Sequence, residues 1–127
     1  MSASVIDSSV VLAVLRGEPG EARAAELAQG AIMSSVNLAE VVTKCVEFEI
    51  NPDEAVHFIA GRNIDVVDFN AADASLTGRL WAVAAKGTLS LGDRACIATA
   101  IRLNATVVTA DRIWAELDLP CPVELIR

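Results

Sequence analysis

Four acidic residues, Asp7, Glu40, Asp93 and Asp111, lie far apart in this 127-residue chain, yet each stands where one element of structure gives way to the next. Asp7 follows the apolar pair Val5-Ile6. Glu40 falls in the early turns of the helix expected after Ala31-Ile32-Met33. Asp93 opens a run of small and apolar residues, Ala95-Cys96-Ile97-Ala98, and Asp111 comes just beyond Thr106-Val107-Val108. Carboxylates gathered at one place point to metal chemistry. Two of them 5 Å apart repel by about 3 kcal/mol at an effective dielectric of 20. A group of them is tolerable only if a cation binds or protons are taken up. Hard oxygen ligands without His or Cys favour Mg²⁺ or Mn²⁺. Such an ion activates water and polarises a phosphoryl oxygen.

Taken singly, each acid has a plainer role. Ser90 and Asp93 have the spacing of a helix cap in which each satisfies the other's backbone amide. Asp7 could cap the helix beginning at Ser8. Glu40 could pair with Lys44 one turn on, and Asp111 could serve a turn or the short helix after it. What sets the four apart from these roles is the order of the elements. Strands are expected at residues 3–6, 31–33, 64–68, 106–108 and 123–125. Helices are expected at 8–16, from Pro19 to about 29, from 34 or 35 to about 49, and over 54–60, 71–86, 90–103 and 112–117. The third of these helices carries an expected inner stripe of Leu38, Val41, Val42, Cys45, Val46 and Phe48, and the 71–86 helix one of Leu76, Leu80, Trp81 and Val83. Gly78 within it suggests a close backbone contact, because a glycine inside a helix costs about 1 kcal/mol against alanine. Strands alternating with helices read as one α/β domain, residues 1–127, with a mainly parallel sheet. In such sheets ligands bind beyond the carboxyl ends of the strands, and that rim is where all four acids are expected.

Composition narrows the class. The formal charge is −7, whereas a bulk binder of duplex nucleic acid is basic. No Tyr, three Phe and two Trp make a poor stacking platform, so contact with a polyanion must be local, through arginines and a bound cation. Trp81 and Trp114 read as packing residues, and His57 as a surface or core filler rather than a base. Mean hydropathy is +0.47, and the excess apolar surface points to a partner interface. Asp7, Glu40, Arg79 and Arg102 interrupt the longest apolar runs, so no membrane span is expected. Nor does the start carry a basic stretch ahead of an apolar run. Cys45, Cys96 and Cys121 form no CxxC pair, which fits reduced thiols in a cytoplasmic protein.

Val5-Ile6-Asp7-Ser8-Ser9, Asn37-Leu38-Ala39-Glu40-Val41, Ser90-Leu91-Gly92-Asp93-Arg94-Ala95-Cys96, and Thr109-Ala110-Asp111 with Trp114 follow in this order along essentially the whole chain. Together they resemble the PIN-domain nucleases, and most closely the VapC-type toxins of bacterial toxin–antitoxin pairs. The resemblance implies a three-layer α/β/α sandwich and a Mg²⁺- or Mn²⁺-dependent endoribonuclease. It would make Asp7, Glu40, Asp93 and Asp111 the catalytic, metal-holding set, with Asp7 and Asp93 as direct ligands of an ion that delivers water in line to an RNA phosphodiester. Ser8 or Ser9, Asn37 and Thr109 would orient the acids, and Arg94 would hold a phosphate or pair with an acid. It also implies a homodimer and a small antitoxin protein covering the groove.

Other readings share parts of this pattern. A PIN nuclease of RNA processing would lack the antitoxin, and a degenerate domain would keep binding without cleavage. A phospho-accepting receiver domain also lines one sheet edge with acids, with Asp68 as its acceptor. It needs paired acids after the first strand and a lysine after the last, but Ser8 follows Asp7 and no lysine lies beyond Lys86.

Overall fold

Alternation along the strands decides the layers. The computed structural model describes residues 3–127. Strand β1 (Ser4–Ile6) turns Val5 to one face of the sheet and Ile6 to the other, and β4 (Thr106–Thr109) does the same with Val107 and Val108. Two apolar clusters result, as the two-residue period of a strand requires. Ile6 and Val108 pack with Met33 of a neighbouring strand and with Val10 and Val11 of α1 (Ser8–Leu15), Ala24 and Ala28 of α2 (Glu21–Ala28), Val41 of α3 (Ser35–Glu47) and Ile59 of α4 (Pro52–Gly61). Val5 and Val107 pack with Leu80, Leu89, Ile97 and Trp114, beneath α5 (Ala71–Arg79) and α6 (Leu91–Arg102). The outcome is the expected α/β/α sandwich.

Strands β2 (Ile32–Ser34), β3 (Asp65–Val67) and β5 (Val123–Leu125) complete a five-stranded sheet in the order β3-β2-β1-β4-β5, with every pairing parallel. β1 and β4 are neighbours in register from Ser4 opposite Thr106 to Ile6 opposite Val108. Asp7 and Thr109 therefore leave the sheet side by side, although a hundred residues of chain separate them. Strands this short, buried on both faces, are apolar because helices cover both sides of a parallel sheet.

The helix α6 is the most deeply set element, with every side chain from Ala95 to Ala100 buried. Small residues allow its backbone to lie close to the sheet. Ser90 and Asp93 form the reciprocal cap at its start: the Ser90 amide donates to Asp93 Oδ2 at 2.9 Å, and the Asp93 amide to Ser90 Oγ at 3.1 Å.

Four expectations about the helices are corrected. The helix expected over 71–86 ends as α5 at Arg79 and tightens into a 3-10 turn, Leu80–Val83. Trp81 lies on that turn and is 47% exposed, so it is not a packing residue. Gly78 meets nothing within 4 Å, so close approach does not explain it. On α3, Val46 is 64% and Phe48 42% exposed; the buried stripe keeps Val41 and Cys45 and turns away from these two. Trp114 is buried as expected, and His57 is exposed. Among the described residues no helix is long and apolar enough to cross a membrane.

Candidate metal-dependent active site

Asp7 occupies the cap position of α1 but does not cap it, since its side chain bonds no amide of that helix. Its carboxylate turns instead into the sheet rim and is 5% exposed. Ser9 Oγ donates to Asp7 Oδ2 at 2.8 Å, and Thr109 Oγ1 donates to the same oxygen at 3.1 Å. Those hydroxyls are themselves fixed by β4's exit, because the Ala110 amide donates to Ser9 Oγ and the Asp111 amide to Thr109 Oγ1. The other oxygen, Oδ1, is buried and has no hydrogen-bond partner.

A buried carboxylate oxygen without a donor is costly when charged. Burial is the main cause that raises Asp7 from the usual 3.8 to about 6; the Ser9 hydroxyl works against it, and the charges of Asp93 and Glu40 add to it. Asp93 is also raised, first by desolvation, while the Ser90 bonds oppose this and the charges of Glu40 and Asp111 reinforce it. Asp7, Asp93 and Glu40 thus feel one another, and Asp111 joins through Asp93. None of the four forms an ion pair among the described residues, and Lys44 pairs with Glu47 at 3.1 Å rather than with Glu40.

Glu40 is placed by the expected Asn37 and by Gly92, which sequence spacing did not reveal. Asn37, fully buried, donates from Nδ2 both to Glu40 Oε1 at 2.8 Å and to the Gly92 carbonyl at 3.1 Å. It thereby ties α3 to the first turn of α6. Gly92 lies against the Glu40 carboxylate so closely that a Cβ there would coincide with it. A glycine one residue before an acid in a helix's first turn was the available signal. Asp111 caps the short 3-10 helix Arg112–Glu116 through the Ile113 amide at 3.1 Å and is exposed.

The donor set suits a hard divalent cation. All the groups are carboxylate oxygens, and one of them, Asp7 Oδ1, is buried without a partner. Among the described residues no three His, Cys, Asp or Glu side chains stand close enough to hold an ion jointly.

Residues 4–119 match the PIN domain family. The chain belongs to the PIN-domain family. No curated protein matches the sequence. Among solved structures, DNA-bound VapBC from Salmonella typhimurium has a chain 21% identical to this PIN domain, with all of both chains covered and a TM-score of 0.72. A toxin–antitoxin complex from Klebsiella pneumoniae has a chain 16% identical, with 98% of each chain covered and a TM-score of 0.75. Mycobacterium tuberculosis VapC20, described as a sarcin–ricin loop cleaving toxin, is 15% identical over 90% of this chain and 94% of its own, with a TM-score of 0.72. At such identities the likeness is one of fold.

In this PIN domain Ser9 is the serine, of the expected Ser8 or Ser9, that bonds Asp7. Arg94 follows Asp93 but pairs with no site acid: its Nη1 donates to the Thr77 carbonyl at 3.0 Å, and its guanidinium lies 5.1 Å from the Trp81 ring centroid. A residue next to Asp93 in a helix points some 100° away from it, which takes Arg94 toward α5.

Proposed function

We propose that this PIN domain is a Mg²⁺- or Mn²⁺-dependent endoribonuclease and the toxin of a toxin–antitoxin pair. The observation that carries the reading is the buried, partnerless Oδ1 of Asp7, a carboxylate that also feels the charges of Asp93 and Glu40. Asp7 and Asp93 would hold the ion, with Glu40 and Asp111 beside them. The ion would supply activated water and neutralise charge on the phosphoryl oxygens. The chain's own residues position the acids. Ser9 and Thr109 occupy Asp7 Oδ2 and leave Oδ1 free, Asn37 fixes Glu40, and Ser90 fixes Asp93.

The shared fold of the Salmonella and Klebsiella toxin–antitoxin proteins, and of VapC20, supports RNA as substrate and an antitoxin as partner. Exposed apolar side chains such as Val56 and Ile113 support a partner-covered surface, including a homodimer. Buried free thiols at Cys45 and Cys96 accord with the cytoplasm. Cleavage mapping on total RNA with purified protein and Mn²⁺ tests the activity. Asp7→Asn and Asp93→Asn should each abolish cleavage without unfolding the chain. Full activity in both variants overturns the assignment. Growth arrest on expression, relieved by the small protein of an adjacent reading frame, tests the toxin role against a nuclease of RNA processing.

A further inference from the structure

We propose that the exposed face of α3 beside the acid site is a track for single-stranded RNA, in which Lys44 takes a backbone phosphate and Phe48 stacks a base; this rests on the ribonuclease reading above. Glu40, Lys44 and Phe48 are spaced by four residues, so they form one stripe along the helix and its end. Each interval is about 6 Å along the axis, of the order of one nucleotide step. The stripe begins at a site acid and runs away from the rim.

A cavity of about 460 Å³ opens where the stripe starts. Glu40 and Lys44 both line it, between apolar walls from Val36, Ala39 and Leu91 and the hydroxyl-bearing Ser90. Leu91 is 63% exposed, although it stands in the first turn of α6 next to the acids. Apolar walls with a few polar edges suit a flat nucleobase and its sugar. Lys44 bridges this cavity to the next feature, since its Nζ is also 5.7 Å from the centroid of the Phe48 ring. Phe48 is 42% exposed, and the Arg16 guanidinium lies over its ring at 3.9 Å.

Single-stranded nucleic acid stacks its bases on aromatic rings with its phosphates near cations; a base on the face of Phe48 that Arg16 covers displaces the guanidinium from the ring. Among the described residues Phe48 is the aromatic with two cations over its ring, against one each at Phe58 and Trp81. Lys44 and Arg16 are held by Glu47 and Glu18, each at 3.1 Å. Both pairs are solvent-exposed and therefore weak, so a phosphate can displace the carboxylates. Continuity of the cavity with Glu40 favours RNA over a protein segment on this face.

The test uses the full chain and a short unstructured RNA. Affinity is read by fluorescence anisotropy in EDTA, and cleavage in Mn²⁺. Phe48→Ala should weaken binding by roughly tenfold, as loss of one stacked base does, and Phe48→Trp should restore it. Lys44→Ala should weaken binding and reduce the salt slope by about one. Thermal melts establish that each variant is folded. If the wild type cuts RNA while both alanine variants bind it unchanged, the track is overturned and the nuclease reading stands. Loss of self-association in Phe48→Ala with unchanged RNA affinity assigns the face to a protein contact and also overturns the track. If the wild type neither binds nor cuts RNA, both readings fall.

Discussion

At Asp7 the whole carboxylate is buried but only one of its oxygens is hydrogen-bonded. Oδ2 takes two hydroxyl donors and Oδ1 none, and desolvation outweighs the donors, so the group is raised from 3.8 to about 6. A carboxyl raised on folding stabilises the folded state when protonated. That contribution is complete below about pH 4 and is lost as pH rises through 6. The metal-free protein should lose on the order of 3 kcal/mol of stability from Asp7 across this window. Urea unfolding in EDTA at successive pH values measures it, and Asp7→Asn should flatten the curve. Removing either hydroxyl donor, by Ser9→Ala or Thr109→Val, should raise Asp7 further. The acid limb of the rate–pH profile would then move to higher pH. At Gly92 an added Cβ would meet the Glu40 carboxylate. Gly92→Ala should therefore cut turnover by about 10- to 100-fold through misplacement, with the thermal midpoint little changed. The identity of these acids could be read from the sequence. That Asp7 leaves its cap unmade and offers a bare oxygen could not, because Thr109 reaches it only through the pairing of β1 with β4.

Helices were placed by their periodicity, and their ends and faces were where it failed. The residues of 71–86 carry no proline, so the pattern runs on as helix; instead the chain tightens after Arg79 because Leu80 must reach the core while Trp81 stays outside over Arg94. On α3 the apolar residues outnumber the buried positions, and packing against α1 and α6 chose Val41 and Cys45 over Val46. Between α5 and α6 a charge pair does part of the joining. Asp73 is 1% exposed and accepts two bonds from Arg102, which is 32% exposed. Arg102→Ala would strand a buried carboxylate. We expect about 2 kcal/mol of destabilisation in urea unfolding, less than for a fully buried pair because Arg102 reaches solvent.

For the molecule as a whole, folding brings like charges together at one rim and leaves the chain acidic elsewhere. An ion bound by the folded state alone, as the proposed function requires, would offset that repulsion. Mn²⁺ at about 100 times its Kd should raise stability by about 2.7 kcal/mol. The rise in thermal midpoint should vanish in an Asp7→Asn, Asp93→Asn double variant, read by differential scanning calorimetry. The alternation of short apolar strands with helices was enough to determine the α/β class, and punctuation at strand ends and helix starts was enough to nominate the acids. Both are local properties, set by side-chain periodicity and by capping within a few residues. Tertiary structure alone decided which strand lies beside which, and hence that Thr109 braces Asp7, that Asn37 and Gly92 together hold Glu40, and that Arg94 turns away from the site. Apart from the Asn37–Glu40 bond, which spans one helical turn, those contacts join residues from 17 to more than 100 positions apart. No local pattern encodes them, because they arise only when both faces of the sheet are buried at once.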